Sequence, residues 1–172
     1  MSRARVVACL TAVGATALAG LSPLDATVLA AAAGEHRATV VVETGATTYQ
    51  RTVTFTEDSI TGIAVLQRSG GNPVVYNFGG QGGAVCRIFG VGRDAGPGCL
   101  GGADGDARYW AYFRAPVGTA HFSYSSVGAG ATAVHDGDVE GWKFGLGTAP
   151  AFPTVTVPPT TRPTTPPPTP PS

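Results

Sequence analysis

The sequence predicts an α+β domain in which one short helix packs on a mixed sheet. Three observations carry this. Glycine (25) and proline (14) together exceed a fifth of the 172 residues, which argues against a helical bundle. Short β-branched or alternating segments recur along residues 38–144. A single segment, after the first two strands, has helical spacing. Strands with one segregated helix belong to the α+β class.

Composition is uneven along the chain. Arg3 and Arg5 precede an uncharged apolar stretch over residues 6–21, and Ala30-Ala31-Ala32-Ala33 follows with small side chains. This is the secretory signal pattern. It assigns residues 1–33 to a cleaved signal peptide, with the bond after Ala33 preferred to the one after Ala32. The rival is a membrane anchor, but Pro23 and Asp25 interrupt the run before the roughly 20 residues that a span needs. Cys9 lies near the start of that run rather than its end, which argues against a lipoprotein. Residues 150–172 hold ten of the 14 prolines, one charge (Arg162) and no aromatic after Phe152. Such a segment is expected to be a disordered, PPII-like stalk or linker. Residues 34–149 remain as the domain.

Eleven basic residues balance eleven acidic ones. No net field draws nucleic acid or an anionic membrane, so neither is expected as a partner, and no span remains in the mature chain. Without Cys9 the domain keeps Cys86 and Cys99, and an oxidising compartment favours a disulfide between them. Closing such a loop is worth about 3 kcal/mol in the chain-entropy model. A zinc site is the weaker rival, since no histidine lies near the pair.

Residues 38–43 are β-branched and read as a strand. After the Thr44-Gly45-Ala46 turn, residues 49–56 alternate Tyr49, Arg51, Val53 and Phe55 against polar neighbours, completing a hairpin. Asp58 or Ser59 is the expected helix cap, Ile60, Ile63, Ala64 and Leu66 the apolar stripe, and Gly70-Gly71 the stop. Residues 74–78 and 84–89 read as strands around a Gly-rich linker, which lacks the Lys-Ser/Thr of a phosphate loop. Residues 90–98 look too Gly-rich to order themselves without the disulfide. Residues 109–114 form an aromatic strand, 122–125 alternate, His135-Asp136-Gly137-Asp138 is a tight turn, and 139–144 alternate again. A β-grasp is the simplest topology with this order; an all-β sandwich is the rival.

Eight of the 14 aromatic residues fall between positions 109 and 144. Strand alternation puts Trp110 and Tyr112 on one face and Tyr109 and Phe113 on the other. Two readings stand: a core layer with loop cover, or an aromatic binding platform. The platform reading selects Tyr109, Trp110, Tyr112, Tyr124 and Trp142 as ligand-binding residues. Asp104, Asp106, Asp136, Asp138 and Glu140 offer oxygen donors, but Asp-Gly turns explain them and the spacing is not that of an EF-hand. His121 and His135 have no partner pattern. No nucleophile–base pair, G-x-S-x-G or H-E-x-x-H is present, so no catalytic residue and no cofactor are assigned. If cleavage follows Ala33, Gly34, Glu35 and His36 would supply an amine, two amides and an imidazole, a weak square-planar option for Cu(II) or Ni(II).

Residues 58–70, the Tyr109-Trp110-Ala111-Tyr112-Phe113 strand and the Asp136-Gly137-Asp138-Val139-Glu140-Gly141-Trp142 element resemble three successive elements of transcobalamin C-terminal-like domains. The resemblance spans about residues 38–146. It departs at residues 114–118, where Arg114-Ala115-Pro116-Val117-Gly118 replaces the family's usual Asn-Gly, and in the added disulfide loop. It implies a β-grasp-like module of a secreted bacterial protein and a corrinoid as candidate ligand. The expected function is a secreted, non-catalytic binding module for a corrinoid or another small, partly flat ligand. The alternative is a structural or adhesive protein of the cell wall, presented on its stalk to protein or glycan partners.

Overall fold

The computed structural model describes residues 34–80, 82–102, 104–154, 156 and 158–160; the assigned signal segment and the end of the Pro/Thr tail lie outside them. The chain runs β1 (His36–Glu43), β2 (Thr48–Phe55), α1 (Gly62–Arg68), β3 (Val74–Asn77), β4 (Gly83–Ile88), β5 (Val91–Gly92), a 3-10 turn (Pro97–Leu100), β6 (Tyr109–Ala115), β7 (Ser123–Tyr124) and β8 (Val139–Gly145). The α+β expectation holds. A five-stranded mixed sheet has the order β2-β1-β8-β6-β7, and β3-β4-β5 form a smaller antiparallel one. The central pair β1/β8 is parallel, with Val40 opposite Glu140 and Val42 opposite Trp142. Every other pairing is antiparallel.

Register sorts the large sheet into two faces. Tyr112 lies opposite Trp142, Trp110 opposite Phe144 and Arg114 opposite Glu140, so these six share the inner face. Ala38, Val40, Val42, Val53 and Phe55 continue it across β1 and β2. Val65 and Leu66 from α1 and Val85 and Ile88 from β4 pack onto this face and close the core.

The helix starts later than its acidic prelude suggests. Thr61 is the cap, its hydroxyl accepting from the Ala64 N–H at 3.1 Å. Asp58 and Ser59 precede a bridge in which Ile60 and Val134 exchange backbone hydrogen bonds of 3.0 and 2.7 Å. That long-range pairing holds residue 60 extended. The buried stripe is therefore Val65 and Leu66, with Ile63 and Ala64 half-buried. The helix ends in a Schellman motif: the Gly70 N–H donates to Gln67 O and the Gly71 N–H to Leu66 O.

Residues 90–98 are more ordered than their glycine content implies. Ile88 pairs with Val91 across a two-residue turn in which Phe89 (φ 50°) and Gly90 (φ 78°) are both left-handed, the geometry that matches strand twist. Phe89 is held there by stacking on Tyr49 at 4.1 Å. The Cys86–Cys99 disulfide, with Cα atoms 4.9 Å apart, ties the 3-10 turn to β4.

The outer face of the large sheet is also covered. At Gly141 a β-carbon would lie 2.8 Å from the Phe122 ring and 2.9 Å from Pro150, so glycine alone lets both settle on the strand. Phe122 packs on Phe152 at 5.1 Å and on Phe113 at 6.5 Å. Pro150 and Pro153 are buried. The Ala151 N–H donates to Glu43 Oε1 at 2.6 Å, and the Thr160 hydroxyl to Glu35 O at 2.6 Å. The described residues between 150 and 160, assigned to a disordered tail, thus run back as a strap from the Glu43 end of β1 to its Glu35 end. Pro150 seats over Gly141 beside the Phe122 ring, and Phe152 packs on that ring.

Candidate functional site

The five aromatic candidates, Tyr109, Trp110, Tyr112, Tyr124 and Trp142, all line one cavity of about 230 Å³. It opens where β7 is too short to cover the first half of β6. Ala84 and Val85 of β4 and residues 125–129 wall its other sides, and among the described residues no charged side chain or histidine lines it. Tyr109 and Trp110, consecutive on β6, both line it.

The inner wall is core. Trp142 is 0 %, Trp110 4 % and Tyr112 8 % exposed, whereas Tyr124 is 57 % exposed at the rim. Trp110, Tyr112 and Trp142 are thus core residues that also border a cavity. Tyr112 stacks on Trp142, with centroids 4.7 Å apart and planes 14° from parallel. Trp110 donates its Nε1–H to Val91 O at 2.9 Å, which fixes its ring against β5. The Trp142 Nε1–H is buried and has no acceptor among the described residues. The cover loop is pinned by Ser125 N–H to Tyr112 O at 2.9 Å, Ser125 hydroxyl to Val127 O at 2.8 Å, and Gly130 N–H to Gly83 O at 3.3 Å. At the rim, partial burial and a hydrogen bond with the Tyr109 hydroxyl push the Tyr124 phenol up to about 12.

Behind Tyr112 lies a buried polar network that sequence reasoning missed. The Tyr112 hydroxyl donates to Glu140 Oε2 and lies 3.0 Å from Thr132 Oγ1. Arg114 Nε donates to Glu140 Oε1 at 3.1 Å, and Arg114 also reaches Ala133 O. Glu140 is fully buried. Burial pushes its carboxyl up to about 7, against the opposing pull of Arg114 and Tyr112. Burial and the neighbouring carboxylate also raise the Tyr112 phenol well above its ordinary value. The signal was present as parity. Glu140 alternates with Trp142 and Phe144, and Arg114 with Trp110 and Tyr112, so both point inward.

The acidic turns are occupied by protein donors. Asp104 receives Arg93 at 3.0 and 3.1 Å, and Asp106 receives Arg108 at 2.8 Å. Hydrogen bonds from these guanidiniums hold both carboxyls low, Asp106 at about 2. Asp136 accepts the Arg37 N–H at 2.8 Å, and Asp138 the N–H groups of Val117 and His135 at 3.0 and 2.9 Å. Among the described residues, no group of three His, Cys, Asp or Glu side chains is placed to hold a metal. His121 and His135 are exposed and lie outside the cavity lining. His36 begins β1 in register with Phe55, with its Nδ1 3.7 Å from Asp136 Oδ2. A copper site built on Gly34, Glu35 and His36 would have to take the His36 amide at the end of that ladder.

Among the described residues no helix is long and apolar enough to cross a membrane. No protein-family model and no curated protein matches the chain.

Proposed function

We propose that this chain is a secreted, non-catalytic, β-grasp-like binding module whose ligand is small and partly flat. A first hairpin, a helix after it, and a last strand set parallel beside the first support the β-grasp reading. The Cys86–Cys99 disulfide supports an oxidising compartment. The observation that carries the binding reading is the convergence of six aromatic side chains, Phe78 with the five named above, on one cavity whose described lining is uncharged. A void of about 150 Å³ admits benzene, so about 230 Å³ suits one ring or two fused rings. A corrin ring is wider, and a corrinoid would engage this site through an edge. The strap supports presentation on a stalk, because it carries the chain back to Glu35, where the domain begins.

Both tryptophans of the chain line the cavity, so intrinsic fluorescence reports directly on its occupancy. Titration with cobalamin, cobinamide and a panel of one- and two-ring compounds is expected to give saturable quenching by at least one of them. Tyr124→Ala is expected to weaken that quenching. Flat curves for every compound at high micromolar concentration defeat the proposal.

A further inference from the structure

A polar group taken into a protein loses its water and gains nothing unless a partner waits for it there. On the inner wall of this cavity the polar side-chain tips are committed. The Trp110 Nε1–H donates to Val91 O, the Tyr112 hydroxyl to Glu140, and the Ser125 hydroxyl to Val127 O. The Tyr109 and Tyr124 hydroxyls bond each other. The Trp142 Nε1–H has no accessible surface and offers a guest nothing. Among the described lining residues only Ser126 keeps an uncommitted hydroxyl, and Ser126 is exposed. No described side chain of the lining is charged. The mouth is otherwise apolar. Leu100, Tyr124 and Val127, three of the five exposed large hydrophobic side chains among the described residues, all border the cavity. The interior thus suits hydrocarbon alone, and water with its polar chemistry begins at the rim.

We infer that the ligand is an amphiphile: a bare hydrocarbon group of one or two rings in size enters the cavity, while the polar part of the molecule stays in water at the rim, beside Val127 and Ser126. This rests on the reading of the cavity as a binding site and specifies which end of the ligand it takes.

Four probes share one naphthalene ring. Three carry a single head, as 2-naphthylmethanol, 2-naphthylmethylammonium and 2-naphthylacetate, and 2,6-naphthalenedimethanol carries a hydroxyl at both ends. Protein labelled with 15N-tryptophan has two indole N–H groups, those of Trp110 and Trp142, and both side chains line the cavity, so their resonances report its occupancy. At pH 7 the three single-headed probes are expected to bind within about threefold of one another, since each head keeps its water. The dimethanol must bury one hydroxyl without a partner and is expected to bind about fivefold more weakly or worse. Val127→Asp sets a carboxylate at the exposed rim. It is expected to tighten the ammonium and weaken the acetate by about three- to fivefold each, leaving the methanol unchanged. The comparison of the methanol with the dimethanol in unmutated protein stands whether or not that variant folds. Equal affinity for methanol and dimethanol, a preference of more than about tenfold among the three heads, or a Val127→Asp variant that folds and treats the ammonium and acetate alike overturns the inference while leaving the cavity a binding site. Silence of both indole resonances to all four probes overturns the binding reading itself.

Discussion

Replacing Glu140 with glutamine is expected to remove a pH-dependence of stability that the unmutated protein carries between pH 5 and 8. Glu140 is fully buried between Tyr112 and Arg114, and its carboxyl is raised from an ordinary value of 4.5 to about 7. Across that interval the folded state holds a proton that the unfolded chain has released. Stability therefore falls as pH rises. The contribution is complete below about pH 4.5 and is lost as pH passes 7. Two to three units at about 1.4 kcal/mol each give a loss of about 3 kcal/mol. The depressed carboxyls of Asp136 and Glu43 act with the opposite sign and at lower pH, since each loses its stabilising bonds only when protonated below its ordinary range. The two effects thus occupy separate windows. Urea unfolding at pH 5, 6, 7 and 8, with a constant m-value, measures the slope. Equal stability of the unmutated protein at pH 5 and 8, or an unchanged slope in Glu140→Gln, refutes the reasoning.

Other perturbations test the packing. Gly141→Val drives a side chain into Phe122 and Pro150 and is expected to cost about 1–3 kcal/mol, read as a lower melting temperature. A chain ending at Ala149 loses the strap and is expected to be about 2 kcal/mol less stable to urea than one ending at Thr160, which keeps it. The double change Cys86→Ser and Cys99→Ser is expected to cost about 3 kcal/mol in the same assay. Tyr124→Ala, at the exposed rim, is expected to leave stability within about 0.5 kcal/mol while weakening ligand quenching.

Much of the fold is legible in local pattern. The hairpin of β1 and β2 follows from a β-branched run, a Gly turn and strict alternation, which depend only on neighbours in sequence. The opposite facing of Trp110 and Phe113 follows from strand parity alone. Parity also places Glu140 and Arg114 on the core side of their strands. The acidic look of the surrounding turn hid that. The helix is capped by Thr61 rather than Asp58 or Ser59 because Val134, far along the chain, pairs with Ile60, and no local signal encodes that bridge.

What the sequence by itself determined is seven of the eight strands, the single helix, the Cys86–Cys99 pair and the clustering of aromatics between positions 109 and 144, because these rest on short-range periodicity and composition. Tertiary structure alone decided that six aromatics, Phe78 among them, line a cavity instead of forming a flat platform. It also decided that Trp142 lacks an acceptor among the described residues, that Glu140 is buried, and that the first residues after Ala149 return as a strap. Each of these depends on the meeting of segments distant in sequence: β4 with β6, β6 with β8, and Gly141 with Phe122 and Pro150. A void or an unpaired donor is a property of how such surfaces fail to fill the space between them, and no single segment carries it.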